Sequence, residues 1–208
     1  MDKKLIVNKS IIDKITKNSV ILDPAGLYFM KNGFSGAGGA SGGIYKLLDT
    51  KNPNEEVIKH FMKFKNEDEL YEKNKSNLSI ACYGSYNNDK IKLIHTVGPN
   101  FMASKYLYNI INNDRNDNKL NELFLKIYED VYKEFMEQYK KNNKLKLRLL
   151  PISSGIYINN NLRFKIKIFN SLILIYLYLN EKYKIQPKIY LYDKNDYDLM
   201  LKINMNYF

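Results

Sequence analysis

The 208-residue sequence has no tryptophan and one cysteine, Cys82. A single thiol excludes an intramolecular disulfide, so the fold must rest on its core, and a reducing compartment is the expected setting. The two histidines, His60 and His95, lie far from each other and from Cys82. No metal-ligand spacing results, and no metal is expected. Long apolar runs are also missing. The longest, Leu172 to Leu179, falls well short of the roughly 20 residues that span a bilayer. The apolar stretch ending near Val7 is too short for a signal-peptide core. The expectation is a soluble, cytoplasmic protein with no membrane partner. Proline is sparse, with no Pro- or Ser-rich linker and no internal repeat, so 1–208 is expected to be one domain.

Negative charge is in short supply. Asp and Glu number 22 against 33 Lys and Arg, a net charge of +11. Such a surface attracts nucleic acid and phosphorylated ligands. Lys, Asn, Ile and Tyr are abundant along the whole chain, however, and AT-rich coding sequence alone produces that bias. A virus or another AT-rich genome is the expected source.

What is present alternates between strands and helices. Leu5 to Val7, Ser19 to Leu22, Leu78 to Tyr83, Lys90 to Val97, Leu145 to Pro151 and Lys188 to Tyr192 read as strands. Gly39 to Leu48, Pro53 to Phe64, Leu120 to Tyr139, Leu162 to Tyr183 and Tyr197 to Asn204 read as helices. The pattern predicts an α/β fold with a mostly parallel sheet between helices. Ligands then belong at loops beyond the strand carboxyl ends.

Four such loops stand out. The first is Leu22-Asp23-Pro24-Ala25-Gly26. The second, Gly36-Ala37-Gly38-Gly39-Ala40-Ser41-Gly42-Gly43, has five glycines in eight residues and runs into a helix. Its amides suit an anion, although it is not a Walker loop, lacking Gly-Lys-Ser/Thr. The third is Pro151-Ile152-Ser153-Ser154-Gly155-Ile156-Tyr157, which offers hydroxyls, amides and a tyrosine ring. The fourth begins at Tyr192. His95, on a strand of alternating character, reads as a hydrogen-bonded core group. Cys82 has no nucleophile signature. Ser153 and Ser154 have no nameable base, so no covalent mechanism and no catalytic residue is assigned.

These loops resemble those of macrodomains. Gly38 to Lys46 resembles the family's glycine loop G-G-G-V-x-G-A-I-x-K. Ile94-His95-Thr96-Val97-Gly98-Pro99-Asn100 resembles its I-H-x-V-G-P strand end. Pro151 to Tyr157 is similar to P-x-I-S-T-G-I-Y, and Ile189 to Asp198 to the ending of coronavirus-type macrodomains. The matches keep the family order between about residues 5 and 205. The resemblance implies a three-layer α/β/α macrodomain with a mixed, mostly parallel sheet of about six strands. It implies ADP-ribose as the ligand, without any cofactor, across the strand ends. The contacting residues would be Asp23, Ala25, Gly26, Gly36, Gly38, Gly39, Ala40, Ser153, Ser154, Gly155, Ile156, Tyr157 and Tyr192. Tyr157 would border the distal ribose and Tyr192 the adenine, with Ser10 or Asp13 reading the adenine amino group. Implied partners are ADP-ribose or ADP-ribosylated proteins, with RNA or poly(ADP-ribose) on the basic surface.

Departures from the family pattern bear on activity. V-N-A-A-N is here Leu22-Asp23-Pro24-Ala25-Gly26. Gly26 stands where family hydrolases place the Asn that holds the distal ribose, and Asp23 is expected to bring negative charge near the ligand. A binding module is the leading expectation. A mono-ADP-ribosyl hydrolase or ADP-ribose-1''-phosphate phosphatase is the first alternative, and an RNA- or poly(A)-binding domain the second.

Overall fold

The backbone of the molecule is a six-stranded sheet, seen in a computed structural model that describes residues 7–9, 15–71, 78–113, 117–191 and 193–205. Its strands are β1 (Val7–Lys9), β2 (Ser19–Ala25), β3 (Ala81–Tyr86), β4 (Ile91–Val97), β5 (Lys146–Leu149) and β6 (Lys188–Leu191), in the order β1-β6-β5-β2-β4-β3. All neighbours run parallel except the edge strand β3, which returns antiparallel on β4. Val20, Ile21 and Leu22 of β2 are completely buried, as an interior parallel strand covered on both faces requires. The helices are α1 (Leu27–Asn32), α2 (Gly39–Tyr45), α3 (Glu55–Phe61), α4 (Glu67–Tyr71), α5 (Lys105–Asn112), α6 (Asn118–Lys141), α7 (Leu162–Tyr183) and α8 (Lys194–Asn204). Together they make the expected three-layer α/β/α arrangement.

The two long helices follow from their patterns. On α6, Leu120, Phe124, Ile127, Val131 and Phe135 recur at three- and four-residue intervals and are buried. The α7 helix begins where the Asn161 side chain accepts a hydrogen bond from the Phe164 amide, 3.1 Å. Tyr132 of α6 donates its hydroxyl proton to Asn180 of α7 at 2.7 Å.

One strand runs further than its sequence implies. β2 continues through Asp23 and Pro24 to Ala25 because β4 stays beside it, with Asp23 opposite His95 and Pro24 opposite Thr96. The pairing with β5 ends earlier, at Ile21, so Pro24 lies beyond the two-sided part of the ladder. Helices α1 and α4 have no clear sequence signal. α5 buries Leu107, Ile110 and Ile111 at helical spacing and starts at Ser104, whose hydroxyl accepts from the Leu107 amide at 3.4 Å.

Candidate functional site

The carboxyl ends of β2, β4 and β5 converge on the glycine-rich and serine-rich loops. Behind them lies a buried polar chain. Asp23 and His95, both with fully buried side chains, meet at 2.7 Å between Oδ2 and Nδ1. The Tyr45 hydroxyl donates to the same carboxylate oxygen at 2.6 Å. On the other side of the ring, the Tyr86 hydroxyl lies 2.7 Å from His95 Nε2. A proton on Nδ1 directed to the carboxylate leaves Nε2 to accept from Tyr86. Burial, then the neighbouring Asp23 carboxylate, pushes the Tyr45 phenol well above its ordinary range, so it remains a donor. Phe34 stacks on Tyr45 with ring centroids 3.9 Å apart. Three strands and α2 are thereby tied together.

Asp23 is thus an internal anchor. Its carboxylate is completely buried, with Oδ2 engaged by His95 and Tyr45. It does not present a charge at the surface of the first loop, as its sequence position had implied. The physical reason is the extension of β2, which places residue 23 in register with His95. His95 is the core histidine its strand predicted.

The glycine loop sits in front of this anchor. Tyr45 ends α2 and Gly38 is its N-cap, with no side chain capping the first turn. Ser41 fastens the same turn by donating its hydroxyl to the Pro24 carbonyl at 3.2 Å. Gly39 has φ +59°, a conformation that favours glycine. Gly38 is different. Its φ of −110° and ψ of −177° suit any residue, and an added Cβ would meet nothing within 4 Å. Neither internal packing nor backbone conformation demands glycine there. The same open surroundings hold at Gly36, Gly39 and Gly155. Ala40 is partly exposed on this segment.

The serine-rich loop leans onto the first loop. A Cβ at Gly26 would come within 2.5 Å of the Tyr157 hydroxyl. One at Gly98 would approach Ser153 Oγ to 2.6 Å. Ser153 is buried and its Oγ has no hydrogen-bond partner; Ser154, more exposed, donates to the Pro151 carbonyl at 3.5 Å. Ile156 is exposed on the 3-10 turn Ile156–Ile158. Burial, then the Glu67 and Asp23 carboxylates, raises the Tyr157 phenol to about 12. It is a hydrogen-bond donor at neutral pH. Tyr71 of α4 donates to the Val97 carbonyl at the end of β4.

Asp23, Ala25, Gly26 and the two loops therefore occupy one end of the sheet. Ala25 is wholly buried and Gly26 is buried beneath Tyr157. Tyr192, Ser10 and Asp13 lie outside the described residues. Sequence reasoning missed Tyr45, Tyr86 and Tyr71, because no short-range pattern links a tyrosine to a carboxylate 22 positions away. Among the described residues no cluster of potential metal ligands occurs, and no helix is long and apolar enough to cross a membrane.

No protein-family model matches the sequence, and no curated protein matches it. Solved structures do match its fold. A mutant of the Oceanobacillus iheyensis macrodomain is similar with a TM-score of 0.53 and 20% identity, over 97% of this chain and 87% of that one. A Trypanosoma brucei macrodomain in complex with ADP gives 0.54 at 12% identity, over 97% and 69%. A Trypanosoma brucei macrodomain in complex with ADP-ribose gives 0.50 at 14% identity, over 88% and 62%. The chain has the macrodomain fold. Its site is built on the Asp23–His95 anchor and on the close approach of Tyr157 to Gly26.

Proposed function

We propose that this protein binds ADP-ribose across the carboxyl ends of β2, β4 and β5. The observation that carries the reading is Gly38, a glycine required neither by backbone conformation nor by packing. A ligand approaching the backbone closely supplies the missing reason. The loop amides and the unpartnered Ser153 hydroxyl would hold the diphosphate. The solved macrodomains in complex with ADP and with ADP-ribose support the choice of ligand. Tyr157 would border the distal ribose and Tyr192 the adenine. ADP-ribosylated protein is the corresponding macromolecular partner.

Calorimetric titration with ADP-ribose, ADP and AMP tests this directly. ADP-ribose should bind most tightly, and Tyr157→Ala should weaken ADP-ribose more than ADP, which has no distal ribose. Equal affinity for all three, or a Tyr157→Ala variant with an unchanged ADP-ribose to ADP ratio, contradicts the orientation.

Hydrolysis of an ADP-ribosyl bond is expected to be slow. The Tyr157 hydroxyl lies 2.5 Å from where a Cβ on residue 26 would sit. As a phenol raised to about 12, it can hydrogen-bond a ribose or a water but is a poor general base near neutrality. Gly26→Asn would need Tyr157 to swing aside before any gain in turnover. Rapid release of mono-ADP-ribose from modified protein by the native chain would overturn this part of the proposal.

A further inference from the structure

The opposite end of the sheet carries a second concave site. A cavity of about 840 Å³ opens at the amino ends of β5 and β6, beside the start of β2. That volume lies in the range of small-ligand sites, about 300–1,000 Å³. Four cations line it: Lys146 and Arg148 from β5, Lys184 after α7, and Lys188 at the start of β6. Among the described residues, none of those lining it is Asp or Glu.

The cations are arranged around an aromatic floor. The register pairs Arg148 with Lys188, which places both on one face of the sheet, and Tyr190 follows two residues later on that face. The Arg148 guanidinium carbon sits 4.8 Å from the centre of the Tyr190 ring, within cation–π range. Arg148 is buried, whereas Lys146, Lys184 and Lys188 are exposed. Asn8, opposite Tyr190 in the sheet, also lines the cavity, and its side-chain amide nitrogen is buried with no hydrogen-bond partner.

A structural reason for the cations exists but does not account for all of them. Helices α6 and α7 end near this rim, at Lys141 and Tyr183. Their carboxyl ends carry roughly half a negative charge each. Together they offset about one charge; Arg148 is engaged inside the fold, and the three exposed lysines keep the described rim positive.

We propose that this cavity is a second anion site, which takes the phosphates of a nucleotide unit. Free nucleotide and single-stranded RNA share that chemistry. The site lies at the opposite strand ends from the ADP-ribose cleft, so occupancy of one does not exclude the other. It also does not depend on the cleft's reading.

The test uses fluorescence anisotropy of a labelled ten-nucleotide poly(A) RNA and calorimetry with ATP. It compares the native chain, Lys146→Gln/Lys188→Gln, and a control, Lys63→Gln/Lys90→Gln, which removes the same charge near the β3–β4 edge. All four lysines are exposed, so melting temperatures should agree. The cavity pair should weaken the bound probe at least ~10-fold, and the affinity should fall with salt as counterions are released. The control should change it less than ~2-fold. RNA binding that depends on the cavity lysines identifies a strand as the source. ATP binding with that dependence, without RNA binding, identifies a free nucleotide. The proposal is overturned if neither probe binds, or if both lysine pairs act equally.

Discussion

The two ends of the sheet differ in what they could offer a phosphate. At the carboxyl end, the segments Gly36–Gly43 and Pro151–Ile158 contain no charged residue at all. What they offer is backbone amide, hydroxyl and a phenol. At the amino end, four cations line one cavity. A backbone cradle depends on shape and hydrogen-bond geometry, so it discriminates among ligands and is little screened. A cluster of lysines attracts any polyanion and loses its hold as salt rises. The overall charge of +11 therefore says little about the proposed ADP-ribose cleft.

The largest expected effect tests the cradle. Gly38→Val should lower ADP-ribose affinity at least ~100-fold with an unchanged melting temperature, because a Cβ at this position meets nothing within 4 Å. A folded variant with native affinity would falsify the close backbone approach. Gly39→Val is less clean, since φ +59° adds backbone strain.

Next comes the anchor behind the cradle. Tyr45→Phe removes one donor from the buried Asp23 carboxylate, whose Oδ1 already lacks a partner. A loss of about 1–3 kcal/mol in stability is expected from such a deletion. Chemical denaturation should show it, and ADP-ribose affinity should fall as α2 loosens. Stability within experimental error of native would mean that the anchor does not hold the loop.

The contact between Gly26 and Tyr157 should give a smaller and coupled effect. Gly26→Ala brings a methyl to within 2.5 Å of the Tyr157 hydroxyl, and overpacking of this kind costs about 1–3 kcal/mol. In a Tyr157→Phe background the cost should shrink, giving a non-zero interaction energy in a double-mutant cycle. Strict additivity would show that the two loops do not press on each other.

The smallest effect near neutrality, one that grows in alkali, comes from pH. Burial raises the phenols of Tyr71 and Tyr132 well above 10.0 and the Cys82 thiol from 9.0 to about 12. In the unfolded chain these groups lose their protons near their ordinary values, while the folded state keeps them. Stability from this source is complete below about pH 9 and declines as pH rises toward 12. Denaturant midpoints at pH 8 and pH 11 check it, and a midpoint that rises with pH contradicts it. At pH 8 Cys82 should also alkylate slowly, as a thiol rather than a thiolate.

Much of the fold could be read in the chain because periodicity reports local structure. The buried stripe of α6, the span of α7 at Leu162–Tyr183 and the strand at Ile91–Val97 are local signals. The short helices α1 and α4, with six and five residues, are too brief to show a period. The location of the glycine loop was legible for the same reason, since composition marks it. The role of Asp23 was not. Whether a carboxylate faces a ligand or a histidine depends on strand register across 72 positions, which no local pattern encodes. Pro24 and Asp23 argue against a strand by propensity, and the parallel partner β4 overrides that preference.

Calorimetry of ADP-ribose binding to the native protein, at 50 mM and again at 500 mM salt, probes the central claim most directly. One-to-one binding whose affinity changes less than ~5-fold between the two is the expected result, since the cradle neutralises the diphosphate with few or no cations. No detectable heat at millimolar ADP-ribose, or a loss of ~100-fold or more at the higher salt, would contradict a neutral backbone cradle at the carboxyl end of the sheet.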